Sequence, residues 1–195
     1  VPAIARWPGR IKPGSVSDDP VSGVDFLPTI CAITGIQTPQ DRALDGANCY
    51  PALTGGKIER KTPLYWQFNR ASGGPKVALR AGDWKILASL DKPPADRSND
   101  ITEQSERDFK EAKLQDFMLF YLRADIGEQN DLAASEPAKL AEMKALLEAK
   151  YAEVVAESKK WPAGKFTGRK NKKIEWPDYV KKGKELAPAA FNDEV

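Results

Sequence analysis

The 195-residue chain contains no histidine, only two cysteines and no long apolar run. Without histidine, the sequence itself supplies neither a Ser-His-Asp or Cys-His catalytic arrangement nor one of the common zinc sites. Two cysteines do not make a disulfide scaffold; Cys31 fits an apolar helix as packing, and a Cys31–Cys49 bridge stays open as an alternative. No segment approaches the roughly 18 apolar residues of a membrane-spanning helix. With 41% hydrophobic and 30% charged residues, the composition is that of an ordinary globular protein.

Charge is spread unevenly, although the net charge is only +2. Between Lys159 and Lys184 there are ten lysines and arginines and only two acidic residues, so the rest of the chain is net acidic. A basic segment of this kind can meet a polyanion, or it can be a solvated tail. Trp176 and Tyr179 interrupt it, which favours a tail that wraps the protein's own surface. A stand-alone polyanion-binding or structural module that uses this tail is the alternative function.

The segment Thr62–Leu90 predicts a small antiparallel sheet. Tight turns at the Gly73-Gly74 pair and at Gly82-Asp83 separate three short apolar or alternating runs, a pattern typical of a meander. The three runs are Leu64–Phe68, Lys76–Ala81 and Trp84–Leu90. Phe117–Leu122 predicts a fourth, buried strand. Trp84 falls on the same face as Ile86, so we expect it to be structural.

Two helices are predicted around this sheet. Ser22 and Asp25 form a capping-box pattern before a helix over Gly23–Thr34, which Pro28 should kink. Its expected buried face is Val24, Leu27, Ile30, Cys31 and Thr34. A long helix over Glu136–Ser158 carries an apolar stripe and should cover the sheet. A strand at Pro2–Trp7 and a helix within Ser105–Gln115 are also expected, and the charged stretch Asp91–Asp108 should be a mobile loop or insertion.

The fold class is therefore α+β: a four-stranded antiparallel sheet covered by a long C-terminal helix and preceded by a strand and a helix from a larger α/β core. We expect residues 1–61 to be the end of that core, 62–161 the sheet subdomain, and 162–195 a basic extended tail. The chain begins without methionine, as a fragment of a longer product would.

Five stretches, in this order, carry a family resemblance. They are Val1–Pro8 (VPAIARWP), Ser22–Gly35 (SGVDFLPTICAITG), Leu44–Gly55 (LDGANCYPALTG), Val77–Leu87 (VALRAGDWKIL) and Phe120–Ala133 (FYLRADIGEQNDLA). Together they resemble the C-terminal part of formylglycine-dependent sulfatases, the arylsulfatase family of the alkaline-phosphatase superfamily. Ile126 departs from the pattern, because the family usually has proline there.

The resemblance implies a parent sulfatase that hydrolyses sulfate esters, with a sulfated sugar as the expected substrate. Its formylglycine, made from Cys or Ser in a C/S-x-P-x-R motif, and its calcium ligands belong to the region upstream, so this chain has no catalytic or metal residues and should be inactive alone. The upstream sulfatase core is the expected partner, with a sulfated glycan as a further one and neither nucleic acid nor a membrane span. By the same resemblance the parent is exported, to the periplasm or the exterior.

Two local features bear on the site. Cys49-Tyr50-Pro51 imitates the modification motif, but Leu53 stands where that motif needs arginine, so Cys49 is not expected to become formylglycine. Gln67, Asn69 and Arg70 lie where the first strand of the meander ends, and the family resemblance places such a strand end near the substrate cleft. We expect them to contact sugar or sulfate; a surface loop is the alternative.

Overall fold

The computed structural model describes residues 3–68, 71, 74–92 and 103–158. A short 3₁₀ turn at Gly23–Asp25 precedes the first helix. The helices are α1 (Phe26–Thr34), α2 (Tyr50–Leu53), α3 (Glu103–Glu111) and α4 (Pro137–Glu157). The strands are β1 (Leu64–Gln67), β2 (Val77–Ala81), β3 (Trp84–Leu90) and β4 (Leu114–Tyr121).

The four strands form one antiparallel sheet in the order β1-β2-β3-β4, which confirms the predicted meander. Ala81 pairs with Trp84, so only Gly82 and Asp83 make the turn, and Gly82 has the positive φ of 60° that such two-residue hairpins use. The strand β4 begins three residues earlier than Phe117. A register shift between Leu87 and Ser89 accommodates the extra residues, and Asp116 there has a left-handed φ of 52°.

The core lies between the sheet and α4. Side chains of β2, β3 and β4 pack against one face of the helix, and all of them are buried. The sheet contributes Val77, Leu79, Ile86, Ala88 and Leu119, and α4 contributes Met143, Leu147 and Tyr151. The long helix was predicted within one residue at each end, because its apolar positions recur at helical spacing.

Several predictions in the first 61 residues were wrong. Ala3–Trp7 is irregular and exposed, since none of the described strands lies beside it to pair with its backbone. Pro28 does not interrupt a helix: α1 begins at Phe26, so Pro28 lies in its first turn, where backbone N–H groups have no helical partner. The expected buried face is also largely open, with Val24, Leu27 and Ile30 about half exposed.

The later loops also differ from expectation. Glu103–Glu111 is helical, and β4 starts at Leu114, so the predicted Ser105–Gln115 helix ends early and part of the expected mobile loop is ordered. Residues 93–102 and the basic tail beyond residue 158 lie outside the described residues. Cys31 and Cys49 are both buried and both free, so the alternative of a bridge between them is not realised.

Candidate functional site

The end of β1 holds the first of the predicted substrate residues. Gln67 is the last residue of this strand, and its register partner is Val77, so its side chain shares the face of the sheet that α4 covers. The Tyr65 hydroxyl donates a hydrogen bond of 2.8 Å to Gln67 Oε1. Asn69 and Arg70 lie outside the described residues. Of the three predicted contacts, Gln67 alone therefore has a described position.

Tyr65 holds Gln67 in place from within the core. Burial raises the pKa of Tyr65 well above its usual range, and the nearby Tyr151 raises it further. The Tyr65 hydroxyl therefore stays protonated and remains a donor at any physiological pH. Tyr151 points its own hydroxyl elsewhere and donates to the Ala112 carbonyl at 2.9 Å.

Other groups at this end of the sheet were missed in the sequence. Trp66 and Phe68 are exposed, and alternation along the strand places Trp66 on the face opposite Gln67. Lys76 faces Phe68 across the hairpin, because the Phe68 amide donates a hydrogen bond of 2.9 Å to the Lys76 carbonyl. The Lys76 Nζ donates to the Ala71 carbonyl at 2.6 Å. The hairpin end thus carries the Gln67 amide on one face of the sheet and the two exposed aromatic rings on the other. Alternation alone could not have found the rings, because it places the buried Leu64 on the same face as the exposed Trp66 and Phe68.

A buried ion pair holds the segment before the sheet together. Asp25 is fully buried and accepts from the backbone amides of Ser22 and Ala47, each at 2.8 Å. Arg60 binds the same carboxylate through two nitrogens, at 2.9 and 2.7 Å. Asp25, predicted only as half of a capping box, therefore joins the start of α1 to the loop before α2 and to the residues leading into β1.

The electrostatics of this pair favour an ionised Asp25. Burial by itself would raise its pKa, but the hydrogen bonds from Arg60, Ala47 and Ser22 outweigh burial, and the pKa lies below its usual value. The close approach of Ala47 to Asp25 also explains why residue 46 is a glycine, because a Cβ on Gly46 would lie 2.0 Å from the Val24 carbonyl oxygen. These bonds give Asp25, the acidic residue of the Ser22–Gly35 stretch, a structural role.

The described residues do not fit the cofactors of the sulfatase reaction. Within them, no group of three or more His, Cys, Asp or Glu side chains is placed to hold a metal ion. Cys49 is buried, and its sulfur accepts a hydrogen bond of 3.1 Å from Thr29 Oγ1. With Leu53 in place of arginine, Cys49 has neither the motif nor the access that a formylglycine site needs. In the same part of the chain, no helix is long and apolar enough to cross a membrane.

Comparison with known proteins identifies the family. Residues 1–105 match the family described as N-sulphoglucosamine sulphohydrolase, C-terminal. The chain belongs to this sulfatase family. It is 28% identical to pig (Sus scrofa) N-acetylgalactosamine-6-sulfatase over 139 residues, which cover 68% of this chain and 26% of that protein. It is also 42% identical to rat (Rattus norvegicus) steryl-sulfatase over 55 residues, which are 28% of this chain and 10% of that protein.

Solved structures agree with this family assignment. Ps i-CgsB, whose structure is known in complex with k-i-k-neocarrahexaose, superposes with a TM-score of 0.52 at 26% identity and covers 74% of this chain and 27% of its own. This sulfatase C-terminal chain thus spans about a quarter of the length of the relatives that it matches, 26% for the pig enzyme.

Proposed function

We propose that this chain is the C-terminal portion of a sulfatase that hydrolyses sulfate esters of a sulfated sugar. The match of residues 1–105 to a sulfatase C-terminal family carries the proposal. The sugar follows from the relatives, because one is an N-acetylgalactosamine-6-sulfatase and a structural neighbour binds a neocarrahexaose. Residues 1–61 then belong to the sulfatase core, residues 62–161 form the C-terminal subdomain, and residues 162–195 form a basic tail.

The catalytic groups of this enzyme are assigned to the region upstream of the chain. As the family resemblance implies, a formylglycine there would supply the nucleophile, and calcium would stabilise charge on the sulfate oxygens. In the described part of this chain, Cys49 is buried, and no three His, Cys, Asp or Glu side chains are grouped so that they could hold a metal ion. We assign the parent enzyme to an exported compartment, in keeping with the family resemblance.

The contribution of this chain to catalysis is contact with the substrate. Gln67 is the last residue of β1, and Asn69 and Arg70 follow it closely in the sequence. Tyr65 keeps the Gln67 side chain at the strand end through the 2.8 Å bond to its amide oxygen. Gln67 and Asn69 can hydrogen-bond sugar hydroxyls, and Arg70 can pair with a sulfate through parallel N–H bonds.

An activity assay of the 195-residue chain tests whether the catalytic groups lie outside it. With a chromogenic aryl sulfate and calcium, we expect no turnover above buffer. Turnover that Cys49→Ala abolishes would place the nucleophile in this chain and overturn the proposal.

The substrate contacts are tested in the gene product extended upstream to include the C/S-x-P-x-R segment. Gln67→Ala should raise KM for a sulfated sugar. Gln104 is an exposed glutamine on α3, and Gln104→Ala should leave KM unchanged. Tyr65→Phe removes the same internal hydrogen bond and keeps the Gln67 side chain. Because it frees the Gln67 amide from its anchor, Tyr65→Phe should raise KM by less than Gln67→Ala does. An unchanged KM in Gln67→Ala would contradict the contact.

A further inference from the structure

One loop in the first 61 residues is held from two sides. This loop, Asp45–Ala47, is here called the junction loop. At one end of it, the Ala47 amide donates a hydrogen bond of 2.8 Å to the buried Asp25 carboxylate. Arg60, which lies shortly before β1, binds the same carboxylate through two nitrogens. The junction loop is therefore fixed against the segment that leads into β1.

The other end of the junction loop binds the long helix. Lys150 of α4 donates a hydrogen bond of 2.6 Å to Asp45 and a second one of 2.6 Å to Glu153. The Lys150 side chain is 11% exposed, whereas the two carboxylates are about half exposed. Burial of the ammonium would lower its pKa, but the bonds to the two carboxylates outweigh burial, and the pKa of Lys150 lies above its usual value. This charged contact therefore fixes α4 to the junction loop.

The same turn of α4 supports the strand end that carries Gln67. Tyr151, the residue after Lys150, is buried in the core cluster against which Tyr65 packs. The Tyr65 hydroxyl in turn donates its 2.8 Å hydrogen bond to the Gln67 amide oxygen. A displacement of α4 from the junction loop would therefore move Gln67 relative to residues 1–61.

We infer that Lys150 is a positioning residue: through Asp45 it keeps the end of β1 aligned with the part of the sulfatase to which residues 1–61 belong. The inference rests on the proposed function, in which Gln67 contacts the sulfated sugar. Lys150 acts through the junction loop and α4 and does not touch the sugar. Loss of its contact with Asp45 should therefore weaken the binding of the sugar and leave the chemical step at a small aryl sulfate unchanged.

Steady-state kinetics of the upstream-extended protein test the inference. Lys150→Met removes the ammonium and keeps the apolar stem, and Asp45→Ala removes the acceptor. Each should raise KM for a sulfated sugar about three- to tenfold, the effect of one or two weakened hydrogen bonds. The double variant should raise KM no further than either single variant, because both substitutions remove the same contact. The kcat for a chromogenic aryl sulfate should not change.

Charge alone would give a different result. Lys150→Met removes a positive charge and Asp45→Ala removes a negative one, so electrostatic attraction of an anionic sugar would move their KM values in opposite directions. Lys144→Met is the matched control on α4 and should leave KM unchanged. Lys144 binds Glu148 and lies over the Phe117 ring, so its contacts stay within residues 62–161. An unchanged KM in Lys150→Met, a lower KM in Asp45→Ala, or an equal rise in Lys144→Met overturns the inference.

A distance measurement in the 195-residue chain separates this inference from the proposed activity. Spin labels at Ile36→Cys and Phe68→Cys, both exposed positions, report where the end of β1 lies relative to α1, and the two native cysteines are buried. Lys150→Met should broaden the distribution of distances between the labels, and Lys144→Met should not. A rise in KM without this broadening overturns the inference, because Lys150 would then act on the sugar directly.

The two outcomes can differ. If the extended protein turns over a sulfated sugar while Lys150→Met changes neither KM nor the distances, the positioning role is wrong and the function stands. If Lys150→Met broadens the distances in a protein that hydrolyses no sulfate ester, the alignment by Lys150 stands and the function is wrong.

Discussion

The buried pair between Asp25 and Arg60 should dominate the stability of the segment before the sheet. Asp25→Asn keeps the shape of the side chain but replaces one acceptor oxygen with an NH₂ group. Each carboxylate oxygen accepts one N–H from Arg60 and one from the backbone. In either orientation of the asparagine amide, its NH₂ group therefore faces two N–H donors and can accept from neither. Breaking a buried pair costs about 3–5 kcal/mol. For a chain of this size, that lowers the melting temperature by about 6–20 °C.

The chain contains a matched control of the same chemistry at the surface. Asp83 binds Arg123 at 2.9 Å, but the exposed fractions of these side chains are 38% and 73%, against 1% and 13% for Asp25 and Arg60. An exposed pair contributes about 0–1 kcal/mol, because solvent screens it. Asp83→Asn should therefore shift the melting temperature by no more than about 4 °C.

Thermal unfolding of the parent and both variants, followed by circular dichroism at pH 7, makes the comparison. Equal melting temperatures for Asp25→Asn and Asp83→Asn would refute the reasoning, since burial of the carboxylate would then have no energetic consequence. A large drop in the melting temperature of Asp83→Asn would also refute it, because an exposed pair would then contribute as much as a buried one.

Three further predictions concern acid, packing and the tail. The pKa of Asp25 in the folded protein lies below its unfolded value of about 3.9. The ionised carboxylate therefore stabilises the fold above about pH 3.9, and this stabilisation is lost as the pH falls through the lower folded pKa. In acid, the melting temperature of the parent should fall more steeply with pH than that of Asp25→Asn. Trp84 is half-buried and packs on the Tyr121 ring, with 4.9 Å between the ring centroids. Trp84→Ala should therefore lower the free energy of unfolding by about 2 kcal/mol, less than the loss of a fully buried aromatic side chain. A variant that melts within a degree of the parent would contradict this prediction. If Lys159–Lys184 binds a polyanion, truncation after Trp161 should advance elution from a heparin column, with a steep salt dependence for the full chain, whereas equal elution would leave the tail as a solvated wrap.

Local pattern was sufficient for the sheet and the long helix. The β2–β3 hairpin follows from alternation on both sides of Gly82-Asp83, and α4 follows from an apolar stripe that repeats over five turns. Both elements are also covered by contacts within the chain, so local preference and tertiary packing agree. The start of β4 was missed because Gln115 and Asp116 break the apolar run where the strand bulges.

The candidate site was less predictable than the fold. The place of Gln67 at the end of a strand followed from the meander, but its bond to Tyr65 is a property of the folded structure. The exposure of Trp66 and Phe68 could not be derived from their type, because an aromatic residue on an edge strand is buried or open according to what lies over it. Lys76 joined the site only through the pairing of the hairpin.

The sequence by itself determined the family and the order of the secondary-structure elements from β1 onward, because motifs and periodicity are properties of neighbouring residues. Tertiary structure alone decided the rest. Asp25, Ala47 and Arg60 are far apart in the chain, and only folding makes them one buried network. The sequence predicted Leu27 and Ile30 to be buried because they are apolar, yet which side of α1 the chain covers depends on which segments pack there. Burial is a property of the assembled fold. Periodicity identifies the apolar face of a helix, but it does not identify the segment that packs on that face.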